Sequence, residues 1–361
     1  MIASKVINSL ETNRDRRLHG EHIAMPWNSL PRLSRLIPGV EKSKYYLISA
    51  SPKGGKTQLA DFLFVMEPIE WYITHRPKMK LKILYFSLEM SKESKILQAI
   101  SYKLNKDYDI SIAPQHLRST FGGYILDNKI LDIIKSEGFQ IWLKRFEEIV
   151  TYIDDVRSPS AIHRFVKGYA EKHGKYIMRG ENIVDYEPNE EEHIIVICDH
   201  LSLLTPDNGD TLHAAMYQYS AYHCLEFRDR FDYTVVNIQQ QSADSGKQQF
   251  DYRGNSIIDK VRPTTDGLAD MRLSSRDVNL MISLFNPFSY NIEEYEGLDL
   301  RKIGRWHREL FVNLNRDGIA NVQLQLYFNG AVNEFMELPR MNEVDDAMYS
   351  KIQNKVNKLI Q

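Results

Sequence analysis

The sequence predicts an α/β protein in which a mostly parallel β-sheet is flanked by helices. Two observations support this class. Short apolar runs recur from residue 45 onward, and helix-length segments separate them, which is the pattern of strands joined by crossover helices. The predicted buried strands are residues 45–50, 83–87, 194–198, 233–238 and 280–285, and the predicted helices include residues 57–66, 92–104 and 212–231.

Both ends of the chain predict further elements. Apolar and polar residues alternate over residues 322–328, which predicts a half-exposed strand in an antiparallel C-terminal extension of the sheet. Residues 2–18 and residues 348–359 each have the apolar spacing of an amphipathic helix. We therefore expect an N-terminal helix within residues 1–25, one α/β domain over residues 26–340, and a helical tail over residues 341–361.

The composition is that of a soluble globular protein, with 43% hydrophobic residues and a mean hydropathy of −0.42. We find no apolar run long enough to cross a membrane and no cleavable signal, so we expect a cytoplasmic protein. Of the two cysteines, Cys198 lies in a predicted buried strand, and we expect neither a disulfide nor a zinc site. Because the 46 lysine and arginine residues are balanced by 48 aspartate and glutamate residues, any binding of nucleic acid must depend on a local group of basic residues.

A candidate phosphate-binding loop follows the first predicted strand. Residues 50–57 (ASPKGGKT) match the pattern G-x-x-x-x-G-K-[ST] except for alanine at the first glycine. Backbone N–H groups would hold a triphosphate at the start of the next helix, Lys56 would reach the terminal phosphates, and Thr57 would offer its hydroxyl to Mg²⁺. A Gly-Lys turn that happens to precede a helix is the weaker alternative, because strand, loop and helix all fall where the motif requires them. The expected nucleotide contacts are Ser51, Pro52, Lys53, Gly54, Gly55, Lys56 and Thr57.

Polar residues follow three other predicted strands. Glu89 and Asp199 should project from the carboxyl edge of the sheet beside the phosphate loop, where one could activate water and the other could hold the metal. Carboxylates at strand ends also serve as helix caps, but a phosphate loop upstream favours the metal role for Asp199. A glutamine among residues 239–241 could contact the terminal phosphate, although these residues could equally begin a polar loop.

Taken in order, these motifs resemble the ATPase domain of DnaB-type replicative DNA helicases, a RecA-like P-loop ATPase core, and especially its divergent phage-borne members. The resemblance spans most of residues 26–340. In that family an alanine commonly replaces the first glycine of the phosphate loop. Three further segments are similar to the family's motifs: residues 86–91 (FSLEMS), 198–203 (CDHLSL, with histidine for the customary tyrosine) and 235–240 (VVNIQQ).

The resemblance implies a role for each site residue. Glu89 would be the catalytic base, Asp199 with Thr57 would hold Mg²⁺ beside ATP, and Gln240 would sense the terminal phosphate. Residues 314–318 (LNRDG) are similar to the family's late lysine-x-arginine motif.

In that motif Arg316 would reach the nucleotide of the neighbouring subunit. Leu314 occupies the lysine position, so part of the expected charge between subunits is missing. Residues 1–24 are too few for the family's N-terminal helical domain. We therefore expect that domain to be absent and the helix over residues 2–18 to dock on the adjacent protomer.

As a helicase of this type, the chain would form a ring, most simply a hexamer, around single-stranded DNA. Residues 242–260 would point into the channel, with the more acidic residues 205–210 as a second channel loop. Phosphate contacts of this kind are independent of base sequence. The candidate phosphate contacts, each of which could instead be a solvated surface charge, are Lys247, Arg253, Lys260 and Arg262.

The expected function is that of an ATP-dependent 5′–3′ replicative DNA helicase with a possible primase or loader as partner. Two alternatives remain open. A RecA-like DNA-dependent ATPase of recombination or remodelling would share the phosphate loop without unwinding DNA. A degenerate ATPase could act as an assembly module, which Leu314 would favour and the intact Lys56, Glu89 and Asp199 argue against.

Overall fold

The computed structural model describes residues 2–120, 122–242, 247 and 260–359 of the protein. Its strands are β1 (Tyr45–Ala50), β2 (Lys80–Ser87), β3 (Val150–Ile153), β4 (Lys175–Arg179), β5 (Asn182–Glu187), β6 (Glu192–Asp199), β7 (Thr234–Gln240), β8 (Leu280–Phe285), β9 (Glu294–Tyr295), β10 (Leu298–Asp299), β11 (His307–Asn315), β12 (Val322–Asn329) and β13 (Glu334–Glu337).

The α-helices of the described residues are α1 (Ile2–Leu18), α2 (Pro31–Leu36), α3 (Lys56–Asp61), α4 (Glu67–His75), α5 (Lys92–Tyr108), α6 (Pro114–Leu117), α7 (Asn128–Lys135), α8 (Glu137–Ile149), α9 (Pro159–His173), α10 (Leu212–Gln218), α11 (Cys224–Asp229), α12 (Leu300–Ile303) and α13 (Asp346–Asn357). A π-helical turn joins α3 to α4, and another joins α10 to α11, so each pair forms one continuous helix. Within the same residues, none of the helices is long and apolar enough to span a bilayer.

One mixed sheet of nine strands organises the described part of the chain, in the order β13-β12-β11-β8-β1-β7-β6-β2-β3. The six strands from β8 to β3 are parallel, and β11, β12 and β13 add an antiparallel extension. This confirms the predicted mostly parallel sheet with its antiparallel C-terminal part. All five predicted core strands are present, and β1 and β8 have the predicted bounds.

The sheet is sandwiched between two layers of helices because its central strands are apolar on both faces. Successive side chains of a strand point to opposite faces. Tyr46 and Ile48 of β1 therefore belong to the core beneath α3, α4 and α5, whereas Tyr45 and Leu47 belong to the core beneath α9, α10 and α11. A third apolar cluster joins the antiparallel strands to α12 and α13.

The N-terminal helix α1 has the bounds that the sequence predicts, Ile2 to Leu18. Its apolar side chains Val6, Ile7 and Leu10 are more than half exposed. The opposite end of the chain is packed, because Ile352 of α13 is completely buried in the third cluster.

The register of the sheet places the functional strand ends together. Ala50, the last residue of β1, pairs with Gln240 of β7, and Ser87 of β2 pairs with Asp199 of β6. Because all four strands run in the same direction, their carboxyl ends meet at one edge of the sheet. Parallel α/β sheets commonly bind ligands in the crevice beyond the carboxyl ends of their strands.

Candidate functional site

The loop between β1 and α3 has a backbone that depends on its two glycines. Gly55 has φ of 102°, a value that residues with a side chain rarely adopt. A Cβ on Gly54 would lie 2.8 Å from the Cβ of Ala50 and 2.8 Å from the carbonyl oxygen of Ser51. The Gly54 N–H donates to that same carbonyl at 2.9 Å, which closes the loop into a tight turn.

The loop delivers the chain directly into the start of α3. Gly55 caps this helix without a side-chain hydrogen bond, and the first N–H groups of a helix have no partner within it. Unpaired N–H groups and the helix dipole together attract anions. Lys56 and Thr57, the first two residues of α3, are nevertheless buried against the sheet edge. The loop therefore has the geometry of a phosphate cradle.

Asp199 lies beside the cradle at the end of β6. The Thr57 hydroxyl donates to its Oδ1 at 3.0 Å, and Asp199 is completely buried. A hydroxyl and one carboxylate are hard oxygen ligands of the kind that Mg²⁺ accepts together with phosphate oxygens and water. The residues present therefore fit a magnesium ion bound with a triphosphate.

Glu89 lies two residues beyond the end of β2, at the same edge of the sheet. The N–H of Leu88 donates to the Asp199 carbonyl at 2.8 Å, which fixes the turn that carries Glu89, whose own side chain is exposed. His200 follows Asp199 and is mostly buried. Burial lowers the pKa of His200, the positive charge of Lys56 lowers it further, and the charges of Asp199 and Glu89 oppose the shift. The charges of all three predicted site residues therefore reach the same imidazole.

Of the three consecutive glutamines, the two outer ones are buried and make hydrogen bonds within the chain. Gln239 donates to the carbonyls of Ala269 and Met271 at 2.6 and 2.9 Å. Gln241 donates to the carbonyl of Thr264 at 3.1 Å. These contacts tie the segment after residue 260 to the sheet.

Gln240 points to the opposite face from its two neighbours, because side chains alternate along β7. Val236 and Ile238, which share the parity of Gln240, belong to the core beneath α3. Gln240 is half-buried and pairs in register with Ala50, where the phosphate loop begins. It therefore lies on the same side of the sheet as the cradle.

Arg316 lies near the amino-terminal ends of the parallel strands, whereas the phosphate loop lies at their carboxyl ends. Its Nε donates to the Val278 carbonyl at 2.8 Å, and it follows Asn315, which pairs with Leu280 at the start of β8. The phosphate loop begins level with Leu284 of the same strand. Four residues of extended strand separate the two levels, or roughly 13 Å. The structure therefore does not bring Arg316 into the site of its own chain.

The four predicted DNA contacts are in different settings. Lys247 and Lys260 are exposed, and Arg253 lies outside the described residues. Arg262 is half-buried: it donates to the Tyr295 hydroxyl at 3.0 Å and forms an ion pair with Glu296 at 2.8 Å.

Several residues around the site have no motif in the sequence. Arg308 of β11 donates from Nε to the Gly54 carbonyl at 2.8 Å, across 254 positions of chain. Lys95 of α5 is buried against Asp61 and Asp199. The one signal in the sequence is a charge inside an otherwise apolar helical stretch, as Asp61 is within residues 59–66.

Comparison with known proteins supports the fold. No protein-family model and no curated protein matches the sequence. A solved structure described as an ATPase domain superposes with a TM-score of 0.64 at 18% identity, covering 94% of this chain and 99% of that chain. A second, described as a DnaB-like replicative helicase and its interactions with primase, has a TM-score of 0.61 at 18% identity, with 88% of this chain and 64% of that chain covered. The chain thus has the RecA-like fold of the DnaB-type ATPase domain, as the motifs predict.

Proposed function

We propose that this chain hydrolyses ATP at the interfaces of a ring that moves 5′–3′ along single-stranded DNA and unwinds the duplex ahead of it. The observation that carries the proposal is the hydrogen bond from Thr57 to Asp199 directly below a phosphate cradle. The likeness of fold to DnaB-type ATPase domains supports the choice of DNA as the track.

Residues 51–57 would hold the triphosphate through backbone N–H groups, and Lys56 would contact its terminal oxygens. Thr57 and Asp199 would hold Mg²⁺, which when bound neutralises charge on the phosphates and polarises the bond to be broken. Asp199 is fully buried, and its Oδ1 accepts the hydrogen bond from Thr57 at the cradle.

Glu89 is the residue proposed to accept a proton from the attacking water. It is exposed at the end of β2, so water can reach it, and its backbone is fixed by the bond from Leu88 to Asp199. Gln240 shares the face of the cradle and is proposed to respond to the loss of the terminal phosphate. Its neighbours Gln239 and Gln241 bind the segment after residue 260, which offers a path toward the DNA.

Arg316 would complete the site of the neighbouring subunit. Roughly 13 Å of strand separates it from the cradle of its own chain, which is more than an arginine side chain spans. In a head-to-tail ring each subunit offers one edge to the next, so the arginine of one copy can face the cradle of another. This arrangement makes hydrolysis dependent on assembly.

The ring is proposed to be a hexamer around one DNA strand, gripped by Lys247, Arg253, Lys260 and Arg262. To bind a DNA phosphate, Arg262 would break its ion pair with Glu296 and pair with the phosphate instead. The helix α1, with exposed Val6, Ile7 and Leu10, is the proposed linker that docks on the adjacent subunit. Residues 26–340 would form the ATPase domain, residues 341–361 its tail, and a primase or loader its partner in the cytoplasm of a bacterial host.

Mixing two inactive variants tests the proposal. Lys56→Ala should lower DNA-stimulated ATP turnover by about 100-fold or more, because it removes a charge from the transferring phosphate. Arg316→Ala should do so through the neighbouring site. In an equal mixture of the two variants, about a quarter of the interfaces would combine an intact Lys56 with an intact Arg316, so turnover should partly return. Arg301→Ala is the matched control, because Arg301 is an exposed arginine that pairs with Asp299.

Failure of the mixture to recover, with both variants assembled, would exclude a shared site. Unwinding is measured separately, on forked DNA with a single 5′ or 3′ tail. Turnover stimulated by DNA without strand separation on either fork would instead identify a DNA-dependent ATPase that does not unwind. No turnover in the wild-type protein would identify an assembly module.

A further inference from the structure

A buried ammonium group lies behind the candidate magnesium site. Lys95, in the first turns of α5, is 1% exposed, and its Nζ contacts groups from three other elements. It lies 3.0 Å from Oδ2 of Asp61 in α3, 2.7 Å from the Tyr85 hydroxyl in β2, and 3.4 Å from Oδ2 of Asp199 in β6. All three donors of the ammonium group can therefore be used.

The contacts of Asp199 divide between its two oxygens. Oδ1 accepts from the Thr57 hydroxyl at 3.0 Å, on the side of the phosphate cradle. Oδ2 accepts from the Tyr85 hydroxyl at 3.1 Å and faces Lys95. The carboxylate is thus held from behind by two groups, which leaves Oδ1 as the oxygen directed at the cradle.

The charges of the cluster also favour a cation. Two buried carboxylates, Asp61 and Asp199, share the single positive charge of Lys95. A buried charge is costly unless it is paired, so one negative charge in this cluster lacks a full partner among the three residues. A divalent cation next to Thr57 would supply that partner. Removing Lys95 would change both the direction of the Asp199 carboxylate and the balance of charge behind it.

We propose that Lys95 is a positioning residue that, with Tyr85, holds the Asp199 carboxylate toward Thr57 and thereby sets the affinity of the nucleotide site for Mg²⁺. Asp61 is the counter-charge that allows Lys95 to stay buried. The inference rests on the proposed nucleotide site, and it is independent of whether the ring unwinds DNA. Residues that orient a metal ligand commonly change metal affinity by about 10- to 100-fold when replaced.

The test uses variants of the full chain that separate metal affinity from folding. Lys95→Met alone would leave Asp61 unpaired in the core, so the main variant is Asp61→Asn with Lys95→Met, which removes both members of the pair. Replacing both members of a buried ion pair is commonly tolerated. Tyr85→Phe keeps both charges and removes the hydroxyl that donates to Oδ2 of Asp199 and accepts from Lys95. Lys103→Met is the control, because Lys103 lies on the same helix and pairs with Glu70 and Asp107 away from the site.

The readout is binding of a fluorescent ATP analogue, first in EDTA and then during titration with Mg²⁺, beside urea unfolding of each variant. We expect the affinity in EDTA to stay within about twofold of wild type, and the Mg²⁺ concentration for half-saturation to rise about 10-fold or more in the double variant and several-fold in Tyr85→Phe. Lys103→Met should match wild type in both. A loss of folding stability alone would not separate the two titrations in this way.

Three outcomes would overturn the inference. A double variant that folds and saturates with Mg²⁺ as wild type does would make Lys95 a purely structural partner of Asp61. If the double variant does not fold, an unchanged Mg²⁺ titration in Tyr85→Phe excludes control of Asp199 from behind. A wild-type protein whose nucleotide affinity is independent of Mg²⁺ would remove both this inference and the proposed ATPase. Normal Mg²⁺ linkage without unwinding would remove only the proposed helicase.

Discussion

Arg308 braces the phosphate loop from the antiparallel part of the sheet, and its replacement should weaken nucleotide binding. Its Nε donates to the Gly54 carbonyl at 2.8 Å, its Nη1 donates to the carbonyls of Arg305 and His307, and its guanidinium covers the Phe328 ring at 4.6 Å. Burial lowers the pKa of Arg308 to about 10, so the group remains charged at neutral pH.

The magnitude follows from the bond to Gly54. A hydrogen bond from a charged donor contributes about 1.5–3 kcal/mol. If Arg308→Met lets the loop leave its binding conformation, the apparent Kd rises in inverse proportion to the population that keeps it. A loss of about 1.5 kcal/mol corresponds to a roughly 10-fold weaker Kd for ATP. Arg308→Lys should behave similarly, because a lysine lacks the Nε that reaches Gly54.

Titration of a fluorescent ATP analogue in EDTA measures this effect without involving the metal. Arg305→Met is the matched control: Arg305 is exposed, three residues away, and its guanidinium covers Trp306 at 4.8 Å. Urea unfolding of each variant shows whether the loop or the whole fold has changed. A Kd within twofold of wild type in a folded Arg308→Met protein, or a tighter one, would refute the bracing role.

Two further predictions concern coupling and pH. Gln241→Leu removes hydrogen bonds to the Ser49 hydroxyl and the Thr264 carbonyl. We expect unstimulated ATP turnover to persist and stimulation by single-stranded DNA to fall about fivefold, which corresponds to a coupling loss of about 1 kcal/mol. Full stimulation in the variant would show that the contact of Gln241 with Thr264 does not couple the two sites. Burial lowers the pKa of His193 from 6.5 to about 3, so the unfolded chain binds more protons below pH 6.5 and stability falls as the pH falls. Between pH 7.5 and pH 5, the free energy of unfolding measured with urea should fall by about 2 kcal/mol more in wild type than in His193→Gln. The comparison with the variant is needed because burial raises the pKa of Glu309 to about 7, which stabilises the fold as the pH falls over the same window; equal pH dependence of the two proteins would contradict a buried neutral His193.

The sequence predicts the parts of the fold that depend on local pattern. β1 is apolar along its whole length and is followed at once by a phosphate-loop motif, so both its bounds and its role as the strand before the cradle can be read from residues 45–57. The strand β3 is not predicted, because its four residues at the sheet edge are too short for a periodicity to show. The roles of Lys95 and Arg308 are likewise not readable. Each becomes part of the site only through contacts with elements that are distant along the chain.

The sequence leaves the role of the glutamine triplet ambiguous, and the structure places its members on the two faces of β7. Because side chains alternate, Gln239 and Gln241 face one side of β7 and Gln240 faces the other. The outer two are buried and donate to backbone carbonyls between residues 264 and 271, and the N–H of Ala269 returns a hydrogen bond of 2.8 Å to the carbonyl of Gln240. A shift of Gln240 on the cradle side would therefore act directly on the segment anchored by its neighbours. A substitution at Gln239 or Gln241 therefore tests how this segment is anchored, and a substitution at Gln240 tests the proposed response to the terminal phosphate.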